Sequence, residues 1–387
     1  MLSLKSQSSL LKNRWLWGIL MIAFLLRLGA VVYWHRSANT ENGFFRLGDS
    51  DGYWVLATHI ARGEPYQYGS ENASVFRAPL MPLFLSTFTY IEDRSTAVFL
   101  ARVAGAVLGT ITVLLIALLA RQLSCLAIRV ISPCEQTAPR VDNNNQTLSA
   151  LLAALLCAVH PSAIGMSIVV LSEMIFVPLM LVYLLLWSRW LPAVIGLNRE
   201  PWKRPGSNSD AKVDVKSSVT SSRVATGFAV LQLLTGIVGG LATLARPSWL
   251  LFSPFVLVLG LCLVNQRLQY LKAMLIVGAG MSLAMSPWWI RNFVVTDKFV
   301  LTTLQVGPSL YDSFHGGASG GSDEGMQFMR RIEAEQAEED HLMLEAAPEK
   351  PLESTFSGDQ SPGLTRSRQW CNQNPTQVLK LRMGEAQ

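Results

Sequence analysis

The residues best suited to chemistry in this 387-residue chain lie in two short runs, Gly48-Asp49-Ser50-Asp51-Gly52-Tyr53 and Phe76-Arg77-Ala78-Pro79. An aspartate can take a proton from a hydroxyl, and Asp49 and Asp51 are both placed to serve. A guanidinium can offset negative charge as it develops, and Arg77 follows in the same inter-helical region. Asp49 precedes Tyr53 by four positions, so the two share a face if a helix extends back that far. Further along stand Arg102, Glu173, Arg246 and Arg291, each near the end of an apolar run. Arginines gathered at one level suit an anionic ligand, and phosphate is the natural candidate because the guanidinium fork matches its oxygens. A plainer reading stays open. Asp49, Ser50 and Asp51 are all good helix N-caps, stabilised there without any catalytic role, and Arg77 suits an anchor at lipid headgroups. No His/Cys cluster stands at metal-ligand spacing, which leaves Asp49 or Glu173 as the places where a divalent cation would bind.

The elements that must position these side chains are apolar. Half the residues, 50%, are hydrophobic, only 15% are charged, and mean hydropathy is +0.31; a soluble domain carries about 25% charged residues. Runs of about 20 apolar residues match a hydrocarbon layer of about 30 Å. Seven stretches qualify: 15–34, 99–123, 148–165, 174–191, 224–244, 249–264 and 271–290. The first has a basic leader, Lys5, Lys12 and Arg14, without a small-residue cleavage site, and reads as a retained anchor. The net charge of +5 comes with no motif that would read bases, which argues against nucleic acid as a partner. The cations sit between apolar runs: Arg121, Arg129 and Arg140, then Arg189 through Arg223, then Arg267 and Lys272. With the N-terminus cytoplasmic these loops are internal, as the positive-inside rule prefers. Arg102, Arg246 and Arg291 then lie at outer helix ends, against that rule, and so are not orientation signals. Arg27, inside the first run, has three readings: snorkelling, pairing or facing a cavity, with packing preferred.

Three polar regions connect the runs. The first external loop, 35–98, is long for a bundle connection. It begins with a short amphipathic helix carrying Tyr53, Leu56, Ala57 and Ile60 and ending at the breaker Arg62-Gly63-Glu64-Pro65; a second short apolar element follows at 80–91. The stretch 198–222 reads as a flexible internal linker. The tail from 296 holds a Gly-rich turn at 316–321, an acidic helical pattern near 330–347 and a Pro/Ser segment. That turn lacks the Lys-Ser/Thr of a phosphate loop and reads as a tether. Of five cysteines, Cys157 and Cys262 fall in spans, Cys125 and Cys134 in an internal loop, and Cys371 outside, so disulfide stapling is not expected. The sequons at Asn72 and Asn145 are weak signals, the second on the inner side.

The order of these motifs resembles a family. Asp49-x-x-x-Tyr53, Ala57-x5-Gly63-x-x-Tyr66, Arg77-x-Pro79-x-x-Pro82, Ser172-Glu173, Gly240-Leu241-Ala242-x-x-x-Arg246-Pro247 and Pro287-Trp288-x-x-Arg291-Asn292 look like the polytopic class C glycosyltransferases. The nearest branch comprises dolichyl-phosphate-mannose protein mannosyltransferases and the aminoarabinose and lipopolysaccharide-core sugar transferases. The likeness runs from about Arg14 to Leu310. It implies Asp49 as the catalytic carboxylate, with Asp51 a second candidate, and Arg77 as the cation that meets a carrier-lipid phosphate. Tyr53, Arg102, Glu173, Arg246 and Arg291 would complete the substrate site. The chain has Ala78 where many relatives have a further proline. Relatives are often longer, so a chain ending soon after Leu379-Lys380-Leu381-Arg382 implies a short or truncated variant.

The expected protein is thus all-α and polytopic. About seven transmembrane helices are flanked by a cytoplasmic N-terminus (1–14), a membrane region (15–295) with interfacial helices in the first external loop, and a polar extracytoplasmic tail (296–387). Its expected setting is a bacterial inner (plasma) membrane. Its expected activity is a hexosyl- or pentosyltransferase, with membrane lipids around it, a polyprenyl-phosphate-linked sugar as donor and a glycan, lipid or protein as acceptor. The rival readings are a secondary transporter and an inactive lipid-binding relative.

Overall fold

The structure, a computed structural model, describes residues 4–38, 44–45, 48–67, 74–131, 143–195, 215–304 and 373. Among these residues every regular element is helical. In order they are α1 (Leu4–Leu11), α2 (Arg14–Ala38), α3 (Gly48–Arg62), α4 (Leu80–Ser86), α5 (Arg94–Ile131), α6 (Asn143–Val159), α7 (Pro161–Ile168), α8 (Glu173–Val194), α9 (Val215–Ala245), α10 (Phe252–Leu263) and α11 (Arg267–Thr296), with a 3-10 turn at Pro247–Leu251 before α10. Asn13 caps α2 by accepting from the Trp15 amide at 2.9 Å.

Among the described residues five helices are long and apolar enough to cross a membrane: α2, α5, α8, α9 and α11. Their side chains are apolar on the exposed faces too, as at Leu25, Leu123 and Leu275. That is how a helix surrounded by hydrocarbon is built, and it marks a multi-pass membrane protein. The expected seven spans reduce to these five, or six if one bent pair counts. The stretch 148–165 is that pair, α6 and α7 meeting at 62°. Pro161 has no amide hydrogen to offer the Cys157 carbonyl and its ring crowds that oxygen, so the helix breaks. The stretch 249–264 is short because a 3-10 turn uses Pro247–Leu251 and α10 stops at Leu263. Other boundaries move as well. α5 runs on to Ile131, which places Arg121, Cys125 and Arg129 in a helix rather than a loop. α9 begins at Val215, so the end of the linker is helical. The Gly-rich turn, the acidic pattern, the Pro/Ser segment, Asn72, Cys134, Arg140, Cys371 and the linker through 214 lie outside the described residues.

The chain divides into two compact units. The first comprises Met1–Thr40 and Ser95–Ser286. Its packing uses small residues at helical spacing: Ala150, Ala154 and Ala158 of α6 join Leu16, Leu20 and Ala23 of α2 and Val113 and Ala117 of α5. α1 is tied in by polar contacts. Gln7 donates to Gln122 at 3.0 Å and accepts from Arg189 at 2.9 Å, while Arg121, buried rather than in a loop, donates to Ser9 at 2.7 Å. Arg27 is buried also, and donates to the carbonyls of Ala23, Ala158 and Cys157 at 3.1, 3.3 and 3.4 Å. These contacts fit the packing role preferred for Arg27 over snorkelling, ion pairing or facing a cavity. α9 meets α11 through Gly236 and Gly240, one helical turn apart, where an added Cβ at Gly240 would lie 2.7 Å from the Ala284 Cβ and 2.8 Å from the Met281 carbonyl oxygen.

The second unit comprises Glu41–Arg94 and Pro287–Gln387. Its described core is the inner face of α3 (Tyr53, Trp54, Leu56, Ala57) and the segment Val75, Phe76, Ala78, Met81 and Leu85.

The glycine contact yields a prediction. Gly240→Leu should cost about 1–3 kcal/mol by overpacking, read as a lower thermal midpoint in detergent, whereas Gly278→Ala, with nothing within 4 Å, should leave the midpoint within error or raise it.

Candidate functional site

Helix α3 starts at Gly48, early enough to place Asp49 and Tyr53 on one face. Asp49, Ser50 and Asp51 therefore sit inside the first turn rather than at the cap, where the two carboxylates still meet the positive end of the helix dipole. The helix ends where Gly63 takes the left-handed conformation, φ 67°. Its amide donates to the Ile60 carbonyl, and that of Glu64 to His59, a glycine-terminated C-cap that turns the chain sharply. Pro65 and Tyr66 follow directly.

On the opposing segment Arg77 is 5% exposed. Its Nη2 donates to Asp49 Oδ1 at 2.5 Å, while the Asp49 side chain stays 57% exposed. The pair thus joins a sheltered cation to an accessible carboxylate. The guanidinium carbon lies 5.2 Å from the ring centroids of both Tyr53 and Phe76, so aromatic faces replace part of the water it has lost. The Arg77 Nε is buried without a hydrogen-bond partner. Tyr66 shares its hydroxyl hydrogen between the carbonyls of Arg77 and Ala78, at 3.2 and 3.3 Å. Burial of that hydroxyl, with Tyr53 adding to it, pushes the phenol above the usual tyrosine range; Arg291 and Arg77 pull the other way with less effect.

The other expected site residues are distributed differently. Asp51 does not join Asp49; it pairs with Arg94 at 3.3 Å on an exposed surface. Arg291 belongs to the same unit, but its Nη1 donates to the Ser74 carbonyl at 2.6 Å and its Nη2 to that of Tyr66 at 3.4 Å. The remaining three belong to the first unit. Arg102, buried two turns into α5, stands 3.0 Å from His35 Nδ1. Glu173, the first residue of α8, accepts from Arg246, whose guanidinium also lies 5.9 Å from the Phe176 ring centroid. The structure therefore brings together Asp49, Tyr53 and Arg77. Tyr66, Trp288 and His35 were not among the expected site residues. Tyr66 was legible only as a motif position three residues after Gly63, and Trp288 as part of an apolar helix end. Among the described residues no group of three His, Cys, Asp or Glu is placed to hold a metal ion.

The class defined by these features is an all-helical membrane protein carrying an acid–guanidinium pair framed by aromatic rings. Compared with protein-family models, curated proteins and solved structures, the chain matches none.

The Tyr66 environment predicts an alkaline signature. A phenol raised above its unfolded value of ~10 contributes stability that is present below that pH and lost as pH rises past it. Tyr66→Phe should therefore unfold at higher pH than wild type in an alkaline melt. It should also leave the tyrosinate absorbance gained up to pH ~10 unchanged; loss of one tyrosine's share there would contradict the assigned environment.

Proposed function

We propose that the protein is a glycosyltransferase of the extracytoplasmic face, moving a sugar from a polyprenyl-phosphate carrier to an acceptor hydroxyl, with Asp49 as base. The observation that carries this reading is the Asp49–Arg77 pair: an exposed carboxylate held against a sheltered guanidinium with a further donor to spare. Support also comes from the motif order noted above and from the apolar helices, which suit a lipid-borne donor.

The chemistry follows from the donor. The acceptor oxygen attacks the anomeric carbon, the carbon–oxygen bond to phosphate breaks, and the electron pair leaves on the phosphate oxygen. Phosphate is a competent leaving group, so no acid need protonate it, unlike glycoside hydrolysis with its two carboxylates. One base suffices: Asp49 takes the hydroxyl proton. Arg77 faces the charge developing on the departing phosphate. Tyr53, under the guanidinium, limits its movement. Single displacement inverts the anomeric centre. The acceptor is a glycan, lipid or protein, the protein sits in a bacterial inner (plasma) membrane, and its N-terminus is cytoplasmic, which puts the region between α2 and α5 outside.

One observation favours a second reading. A buried Arg27 at the broken α6–α7 pair is the kind of feature found in secondary transporters, where ionisable residues and interrupted helices line a path. Cysteine-accessibility mapping along α6 and α7 separates the two: labelling from both sides of the membrane favours transport.

The transferase reading is tested by mass-spectrometric profiles of lipid-linked and surface glycans in native cells, wild type against Asp49→Asn. Loss of one sugar from one glycan is expected, with transfer reduced about 10²–10⁴-fold. An unchanged profile at normal expression would refute Asp49 as base, and an unchanged profile with Arg77→Ala as well would leave the transporter or an inactive lipid-binding protein.

A further inference from the structure

The last turns of α11 direct their polar side chains at main-chain carbonyls. Trp288 Nε1 donates to Thr302 at 2.7 Å, Trp289 Nε1 to Leu301 at 2.8 Å and Asn292 Nδ2 to Val300 at 3.4 Å. Three consecutive carbonyls of the chain leaving α11 are thus held against the helix. Arg291 reaches the other way, to Ser74 and Tyr66, and its guanidinium carbon lies 5.0 Å from the Trp288 ring centroid and 5.4 Å from that of Tyr66. The Leu304 amide then donates to the Val75 carbonyl at 3.1 Å. Every one of these contacts lies within the second unit.

Two routes lead from this clip to Arg77. One runs along the main chain, where Ser74 and Val75 immediately precede Phe76 and Arg77. The other runs through Tyr66, whose backbone accepts from Arg291 and whose hydroxyl binds the Arg77 carbonyl. The Arg291 fork already spans two carbonyls, its Nη1 also donates to Asn292 Oδ1 at 3.2 Å, and the Tyr66 and Trp288 rings, with centroids 5.8 Å apart, lie together on one side of it. A phosphate taken by that fork would compete with the chain it holds.

We infer that Arg291 is a positioning residue: together with Trp288 and Tyr66 it sets the main chain that aims Arg77 at Asp49, and it is not itself a ligand for the anion. This rests on the reading that Arg77 meets a lipid phosphate. A lysine in its place would keep the charge but lose the two-pronged geometry and the stacking, so charge alone should not rescue the role.

The test uses the full chain in lipid nanodiscs. Hydrogen exchange is first followed by mass spectrometry with no ligand present, comparing wild type with Arg291→Lys and Tyr66→Phe. Arg291→Lys should speed exchange across residues 74–78 and 300–304 while α5 and α8 keep their protection; Tyr66→Phe should do so at 74–78 only. Binding of a long-chain polyprenyl monophosphate is then titrated into wild type, Arg291→Lys, Arg77→Ala and the double variant. Arg291→Lys should weaken it about tenfold, a coupling ordinary for residues in one network, and the double variant should bind no worse than Arg77→Ala alone. Unchanged exchange in Arg291→Lys would overturn the proposal. So would losses that multiply in the double variant, since Arg291 would then contact the phosphate independently. If Arg77→Ala itself leaves binding unchanged, the lipid-phosphate reading fails, and the exchange result alone decides whether the clip exists.

Discussion

A main-chain carbonyl that loses its amide partner in an apolar setting costs several kcal/mol unless something else reaches it, and this chain places prolines where that cost must be met. Two of them show how. Pro161 strands the Cys157 carbonyl, and Arg27 donates to it. Pro287, inside α11, strands the Leu283 carbonyl, and the preceding Ser286 hydroxyl takes it at 2.9 Å. Pro82 differs, because it lies in the first turn of α4 where no intrahelical amide is owed, and the Ala78 carbonyl just before the helix accepts from Tyr66. The break at Pro161 and the proline inside α11 each have a donor built in beside them.

The Asp49–Arg77 pair follows the same logic in electrostatic form. A guanidinium that is 5% exposed would be costly alone. The aromatic faces of Tyr53 and Phe76 and a charged hydrogen bond to Asp49 together make it tolerable. The asymmetry of exposure matters for chemistry. On the proposed transferase reading, the exposed carboxylate is the group an incoming hydroxyl meets, while the sheltered cation behind it faces the phosphate.

Much of this was legible in the residues. The helical class follows from the long apolar runs, and the Asp49–Tyr53 face from a spacing of four. The stop at Gly63 follows from a glycine next to a proline pair of signals. What eluded the sequence was mostly a matter of distance along the chain. Arg121 and Arg189 look like loop cations because nothing nearby says that α1 will return to meet them. The span at 249–264 looks adequate by hydropathy, since a 3-10 turn leaves no mark on composition beyond Pro247. Arg291 is the instructive case: an arginine at a helix end suggests an anion, and only the carbonyls of Ser74 and Tyr66, more than 200 residues away, reveal another use. Asp51 likewise could not be separated from Asp49 until each was seen with its own arginine.

The reach of Arg291 also sets an order of events in time. Ser74 and Arg291 are separated by 217 positions, so at ~5–20 residues per second a ribosome needs roughly 10–40 s to add the second after the first. Throughout that interval the segment bearing Arg77 has already been made and lacks its clasp. The acid–guanidinium pair is therefore set only after α5 through α10 have been synthesised, and a nascent chain that stalls before Trp288 carries every residue of the pair without the part that aims it.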